Sequence, residues 1–380
     1  MANIRVGLDV LRESGYDVVR EKHIGLLTHP AAVDSRLESS YRILSRVPGV
    51  QIAALFGGEH GAYGSAGAGE KVATVTDPLT GIPIYSLYGD TLRPTPEMFE
   101  NLDAIVIDLQ DVGARFYTYT WTVSYVLEAA SDAGIEVIIL DRPNPLGDLI
   151  DGMTLDPALS SFIGRFPEPI QHGLSIGEHA QLINNEWLNK PARLTVIPCL
   201  GLKRSMTWNQ TGLTWIPTSP NMAQFSTVVH YPGACLVEGT NLSEGRGTPL
   251  PFEIIGAPFI DGAELADRLN AMDWIGMRFR PHAFTPTSGK WEGVRCEGVQ
   301  VHVVEPSVFF PVRVWLGVLI ALFRRYSDQW EWLPSFDKLA GSVSIREQIV
   351  AGKGHHDIIE SWDESREAFA RLRAPYLIYE

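Results

Sequence analysis

Glu59 and His60 stand side by side in LFGGEHGAYG, residues 55–64, with four glycines around them. Gly57 and Gly58 let a chain turn sharply off a preceding strand, and Gly61 and Gly64 free it again, so the pair can stand at a rim with little crowding. One reading makes Glu59 a general acid or base with His60 beside it. The other makes the stretch a tight turn whose glutamate caps a neighbouring helix. A second dense stretch, VEGTNLSEGRGTPLPFE at 237–253, sets Glu238, Asn241, Glu244 and Arg246 in a loop able to present backbone N–H groups to a ligand. DVGARFYTY at 111–119 adds Asp111, Arg115, Tyr117 and Tyr119, DRPNP adds Arg142 and Asn144, and PTSPNM adds Asn221. Carboxylates, amides, aromatic rings and a few arginines are the mixture expected around a sugar that carries an acid group. The ten Trp and twelve Tyr would suit stacking on sugar faces, though most must be core.

The elements that must position these residues follow from the hydrophobic pattern. HIGLLTH (23–29), VQIAALFG (50–57), LDAIVIDLQ (102–110) and IEVIILD (135–141) read as four strands buried on both faces, the mark of a parallel sheet in an α/β domain. Helical spacing fills 39–47 and 118–134, the second ending at Gly134 as a C-terminal cap. After each strand come polar groups: Thr28 and His29; Glu59 and His60; Asp111, Arg115 and Tyr117; Asp141, Arg142 and Asn144. In open α/β sheets ligands bind beyond the carboxyl ends of the strands, so these groups should gather at one rim. From about residue 152 the pattern turns to shorter pieces, with strands expected over 193–201, 275–284 and 298–306 and helices over 262–272 and 311–326. The expected organisation is a Rossmann-like domain over 1–151 and an α+β domain over 152–380, a division that suits 380 residues at roughly 150 per domain.

Composition removes several classes of function. A formal net charge of -14 argues against a nucleic-acid surface, because phosphate binding draws on clustered Lys and Arg. The most apolar run, VRVWLGVLIALF at 312–323, is shorter than the roughly 20 residues of a membrane span and reads as a buried helix. No basic segment followed by an apolar core and cleavage site opens the chain, so a cytoplasmic location is expected as the sequence stands, or export if a signal has been removed. Cys199, Cys235 and Cys296 are odd in number and widely spaced, which signals neither a disulfide framework nor a zinc site. Neither phosphate-loop pattern occurs, so the sheet need not bind a nucleotide. His29, His60, Asp111, His172, His179, His230 and His355–Asp357 lack clear metal-ligand spacing, and no metal is expected. GLSIG at 173–177 matches a nucleophile elbow and would make Ser175 the nucleophile of an esterase. The polar, proline-containing RFPEPIQH before it is a poor strand, however, and Ser175 with Glu178 also fits a helix capping box.

LFGGEHG, TGIPIYSLYG, DLQDVGARFYTYTW, LDRPNPLG, SPN, YPGACLVEGTNLSEGRGTPLPFEIIGAPF and the closing APYLIY resemble the NamZ-type exo-β-N-acetylmuramidases over essentially the whole chain. The resemblance implies a bacterial glycosidase that removes N-acetylmuramic acid from the non-reducing end of peptidoglycan fragments without a cofactor. It also implies a Rossmann-like domain joined to an α+β domain, with the site in the cleft between them. Carried over by motif, Glu59 is the catalytic acid or base, expected to protonate the glycosidic oxygen, with His60 beside it. The second carboxylate stays open among Asp111, Glu238 and Glu244, with Glu128 and Glu178 possible from predicted helices. Their separation would set the stereochemistry, about 5–5.5 Å for retention and roughly 6.5–9.5 Å for inversion. The substrate's own N-acetyl group could also serve as nucleophile. Selectivity for muramic acid should rest on an arginine or a ring of backbone N–H groups facing its lactyl carboxylate, with Arg115, Arg142 and Arg246 as the candidate arginines. The remaining alternative to an enzyme is a binder of cell-wall sugars that lacks the chemistry.

Overall fold

The structure is a computed structural model that describes residues 4–67, 69–78, 80–272, 274 and 276–380. Its largest element is a seven-stranded sheet in the order β3-β4-β2-β1-β5-β6-β7. The strands are β1 (His23–Thr28), β2 (Gln51–Gly57), β3 (Val75–Thr76), β4 (Pro83–Ser86), β5 (Ala104–Asp108), β6 (Glu136–Leu140) and β7 (Arg193–Ile197). All pairings are parallel except that of the short edge strand β3 with β4. The four strands expected from sequence form the centre, and side chains alternate between two cores with period two. Leu27, Ile105 and Ile107 pack into one; Leu26, Ala104 and Val106 pack into the other.

After β1 the chain builds outward through β2 and β4, then returns to β5 on the other side of β1. The loops beyond β1, β2 and β5 therefore diverge at a topological switch point, where such sheets leave a crevice. Helices α1 (Gly7–Glu13) and α2 (Ser40–Leu44) accompany this half, and α3 (Tyr119–Ala133) follows β5. Helix α3 ends where Gly134 takes the left-handed conformation, φ 73°, as expected of a glycine cap.

Strand β7 departs from expectation. Its sequence reads as part of the second unit, yet it pairs in parallel with β6, so the large sheet draws on residues on both sides of the expected 151/152 boundary. Helix α4 (Ile176–Leu182) lies in the connection from β6 to it. A single turn, α5 (Trp208–Thr211), and helix α6 (Phe225–Ala234) lead into the second unit. There an antiparallel sheet, β8-β10-β9, comprises β8 (Ile254–Ala257), β9 (Met277–Phe284) and β10 (Cys296–Val303). Strand β8 was not expected, and Ile275, the first residue of the expected 275–284 strand, lies outside the described residues.

Helix α7 (Gly262–Asn270) covers this sheet, and α8 (Pro311–Tyr326) packs against α6 and α7. Helix α8 is the apolar run of the sequence, buried as expected through Trp315, Leu316, Val318, Leu319 and Leu322. Among the described residues, no helix is long and apolar enough to cross a membrane. One continuous core joins the units, since Ile107 and Trp121 belong to the same cluster as Phe252, Val299 and Trp315.

Candidate active site

Beyond β2 the chain turns at Gly57, where a Cβ would lie 2.3 Å from the Ala62 nitrogen, so only glycine allows this approach. His60 then adopts a left-handed backbone, φ 71°, a conformation that non-glycine residues hold at a cost and that clusters at functional sites. Its ring Nδ1 bonds the Ala66 carbonyl at 2.8 Å and braces the loop. Glu59, half-buried, is thereby aimed at the start of α3. Its Oε1 accepts the Gly69 N–H at 2.9 Å and its Oε2 accepts the Thr118 hydroxyl at 2.8 Å. The Tyr88 hydroxyl also bonds this carboxyl; burial first, then the charge of Glu59, pushes the Tyr88 pKa up. Thr118 occupies the N-cap of α3 but makes no cap bond, its hydroxyl going to Glu59 instead.

The second unit supplies the facing wall. Glu238 sits in a tight turn, Cys235–Gly239, and its Oε1 accepts two Arg246 N–H groups at 2.6 and 2.9 Å. Arg246 also approaches Glu244 at 3.5 Å and lies over the Phe252 ring, 4.9 Å from its centre. Behind it, the Lys290 ammonium donates to the carbonyls of Val237 and Leu242 and to Glu244, tying the loop shut. Burial works against the Arg246 charge, but Glu238 and Glu244 outweigh it and its pKa rises. For Glu238 burial is the largest cause and raises the pKa; Glu244 adds to the rise and Arg246 only partly offsets it.

Between the walls lies a cavity of about 700 Å³ including its mouth, lined by Glu59, His60, Tyr88, Phe116, Tyr117, Thr118, Asn221, Tyr231, Glu238 and Arg246 among others. Residues 24–226 match a family model described as exo-beta-N-acetylmuramidase NamZ, N-terminal, and residues 229–379 match its C-terminal counterpart. The chain belongs to the NamZ exo-β-N-acetylmuramidase family. It is 44% identical over 379 residues, 99% of this chain and 91% of the other, to the peptidoglycan beta-N-acetylmuramidase NamZ of Bacillus subtilis. Two crystal structures of DUF1343 family proteins from Bacteroides fragilis share the fold. One, at 35% identity, has a TM-score of 0.92 with both chains fully covered; the other, at 28%, has 0.81 with 100% of this chain and 99% of its own covered.

Within this NamZ-family fold, several expected site residues lie elsewhere. Arg115 is buried, and its guanidinium donates to the carbonyls of Met153, Glu168 and Leu339; it binds the two units together and has no face on the cavity. Arg142 forks onto Asp108 and reaches the Val33 carbonyl, at the edge of a separate hollow. Asn144 shapes its own turn through Leu146 and Leu174. Asn241 exchanges bonds with Gln329 and Glu331. Asp111 accepts the Gly113 N–H at 2.6 Å and is buried behind the loop. Glu244 stands behind Arg246, and the Tyr119 hydroxyl is spent on the Thr218 carbonyl at 2.7 Å.

Glu128 pairs with Arg165 and Glu178 with Arg204. Ser175 caps α4 in a full capping box with Glu178 and donates its hydroxyl to Asp141, so the helix-cap reading holds and the esterase reading loses its nucleophile. Tyr88, Thr118, Tyr231 and Lys290 were missed. Each is an unremarkable residue in its own stretch and matters only through a partner distant in sequence.

Among the described residues, Glu168, His172 and His179 form the one group whose ligand atoms converge closely enough for a metal. His172 Nδ1 accepts the Leu174 N–H, which puts the ring's hydrogen on Nε2 and removes that atom as a ligand. His179 Nε2 and Glu168 Oε2 already satisfy each other at 2.6 Å. Glu168 Oε1 and His179 Nδ1 are buried without a hydrogen-bond partner among the described residues.

Proposed function

We infer that this protein is an exo-acting β-N-acetylmuramidase that hydrolyses the β-1,4 bond of N-acetylmuramic acid at the non-reducing end of peptidoglycan fragments. The observation that carries the reading is one cavity holding a carboxyl from each unit, Glu59 and Glu238, beside the guanidinium of Arg246. The near full-length likeness to the B. subtilis enzyme supports the reaction. Glycoside hydrolysis passes through an oxocarbenium-like state and uses carboxyl groups flanking the scissile bond. Glu59, fixed by Gly69 and Thr118, is oriented before substrate arrives, which lowers the cost of reaching the transition state.

Muramic acid differs from glucosamine by its lactyl carboxylate. Arg246 is the one candidate arginine of the three that lines the cavity, and its Nη1 carries no hydrogen bond among the described residues. Asn221, whose amide is likewise unengaged among the described residues, suits the acetamido group. Phe116, Tyr117 and Tyr231 offer ring faces to the sugar. We assign the place of action to the cytoplasm on three buried, unpaired thiols, a condition kept by reducing compartments; cell fractionation that finds the protein outside would reject this.

Peptide-free glycan strands with muramic acid at the non-reducing end test the activity. The protein should release one N-acetylmuramic acid per strand and stop, because the new end is N-acetylglucosamine. Internal fragments, or attack on strands that already end in glucosamine, would sink the reading.

A further inference from the structure

Glu59 and Glu238 face one cavity, yet their oxygens are engaged in opposite ways. Both oxygens of Glu59 hold donors, the Gly69 N–H and the Thr118 hydroxyl, and Tyr88 adds a third. Each of these partners can donate, and an ionised glutamate accepts through both oxygens. Glu238 meets Arg246 through Oε1 alone, and its Oε2 carries no hydrogen bond among the described residues. That oxygen has room for a proton and belongs to a residue that lines the cavity.

The charged and titratable groups around Glu238 are Arg246 and Glu244 on its own loop and Lys290 from the connection between β9 and β10, with Tyr231 and Cys235 on the helix and turn before it. Arg246 is shared between two carboxylates, so neither commands it fully. Burial and Glu244 favour the neutral form of Glu238. Environments that separate two carboxyls in this way divide the acid role from the anionic role.

We propose that Glu238 is the proton donor to the departing glycosidic oxygen, while Glu59 remains the anion facing the anomeric carbon. The assignment rests on the muramidase reading and replaces the sequence-based expectation that Glu59 is the donor. The proton on Glu238 Oε2 passes to the glycosidic oxygen as the C1–O bond breaks, and the bonding electron pair stays with the departing oxygen. The positive charge at C1 faces the Glu59 carboxylate. Water then bonds C1 through its oxygen, and the proton it releases restores Glu238. A lactyl carboxylate drawn to Arg246 brings a further negative charge beside Glu238 and strengthens its hold on the proton. Muramic acid therefore loads the acid that cleaves it, and glucosamine does not.

Leaving-group dependence separates the two roles, since a dinitrophenolate departs without protonation whereas a sugar alcohol does not. Glu238→Gln should lose 10²–10⁴-fold in kcat on the disaccharide of muramic acid and glucosamine, but less than about tenfold on 2,4-dinitrophenyl β-N-acetylmuramide. Glu59→Gln should lose both alike. In the wild-type protein the disaccharide should show a basic limb in its kcat–pH profile that the dinitrophenyl substrate lacks, a measurement independent of any variant's folding. Glu238→Gln that melts like wild type yet loses both substrates equally, or leaving-group selectivity in Glu59→Gln, or a basic limb shared by both substrates, would overturn the assignment. Wild-type protein that cleaves neither muramide would instead overturn the muramidase reading beneath it.

Discussion

At the scale of single residues, Arg246 is the side chain we propose to select the sugar, since it lines the cavity. Its removal as Arg246→Met should reduce the ratio of muramide to glucosaminide kcat/KM by about 10- to 100-fold, the worth of a charged hydrogen bond of about 1.5–3 kcal/mol. An unchanged ratio, measured on the two nitrophenyl glycosides, would move lactyl recognition elsewhere. Glu59 and Glu238 were legible in sequence because glycines isolate them in loops, where a charged side chain seldom serves packing. Asp111 and Glu244 carried the same signal and lie behind the walls, since one-dimensional spacing does not say which way a loop side chain turns. Arg115 illustrates the point most sharply: its motif reads as binding, and its three carbonyl partners lie 38, 53 and 224 positions away.

At the scale of elements, the N-terminus of α3 and the Arg115 loop hold the site's first wall. Thr118→Val removes the donor to Glu59 while keeping the side chain's shape, and should lower kcat about tenfold with little change in melting temperature; Thr118→Ser should retain activity. A fall in melting temperature matching the loss of kcat would mean that Thr118 acts only through stability. Arg115→Met takes a donor from the carbonyls of Met153, Glu168 and Leu339, of which that of Glu168 keeps the Leu155 N–H, and removes the cation near Glu168; it should cost about 3–5 kcal/mol in denaturant unfolding. Little loss of stability together with a raised KM would return Arg115 to substrate binding. The four central strands were legible because each is apolar on both faces. Strand β7 was misplaced because RLTVI is only half-buried at the sheet's edge and carries no mark of which sheet it joins.

At the scale of the whole molecule, the C-terminal segment returns to the first unit and closes over the end of β6. Tyr379 donates to Asp141, and the Ile378 N–H bonds Glu178 at 2.8 Å. Burial raises the Asp141 pKa to about 6, with Tyr379, Ser175 and Gly177 holding it back from rising further. An unfolded aspartate titrates near 3.9, so between about pH 4 and 6 the folded state binds more protons than the unfolded one. This group's contribution to stability is therefore greatest below about pH 4 and falls as pH rises through 6. The stability of wild type relative to Asp141→Asn should decline across that window by roughly 2–3 kcal/mol, read from denaturant unfolding at each pH. A constant difference would mean that Asp141 is already ionised throughout. The resemblance over the whole chain anticipated a cleft between two units, but the residues that line it came together only through folding.

Cleavage of muramic acid glycosides in the cavity shared by the two units depends, on the proposed reading, on Glu59. Its most direct test is nitrophenol release from para-nitrophenyl β-N-acetylmuramide and from the matching glucosaminide, by wild type and Glu59→Gln side by side. The muramide should be cleaved, the glucosaminide little or not at all, and the variant should lose at least about 10²-fold at unchanged melting temperature. Muramide cleavage undiminished in Glu59→Gln would contradict that dependence.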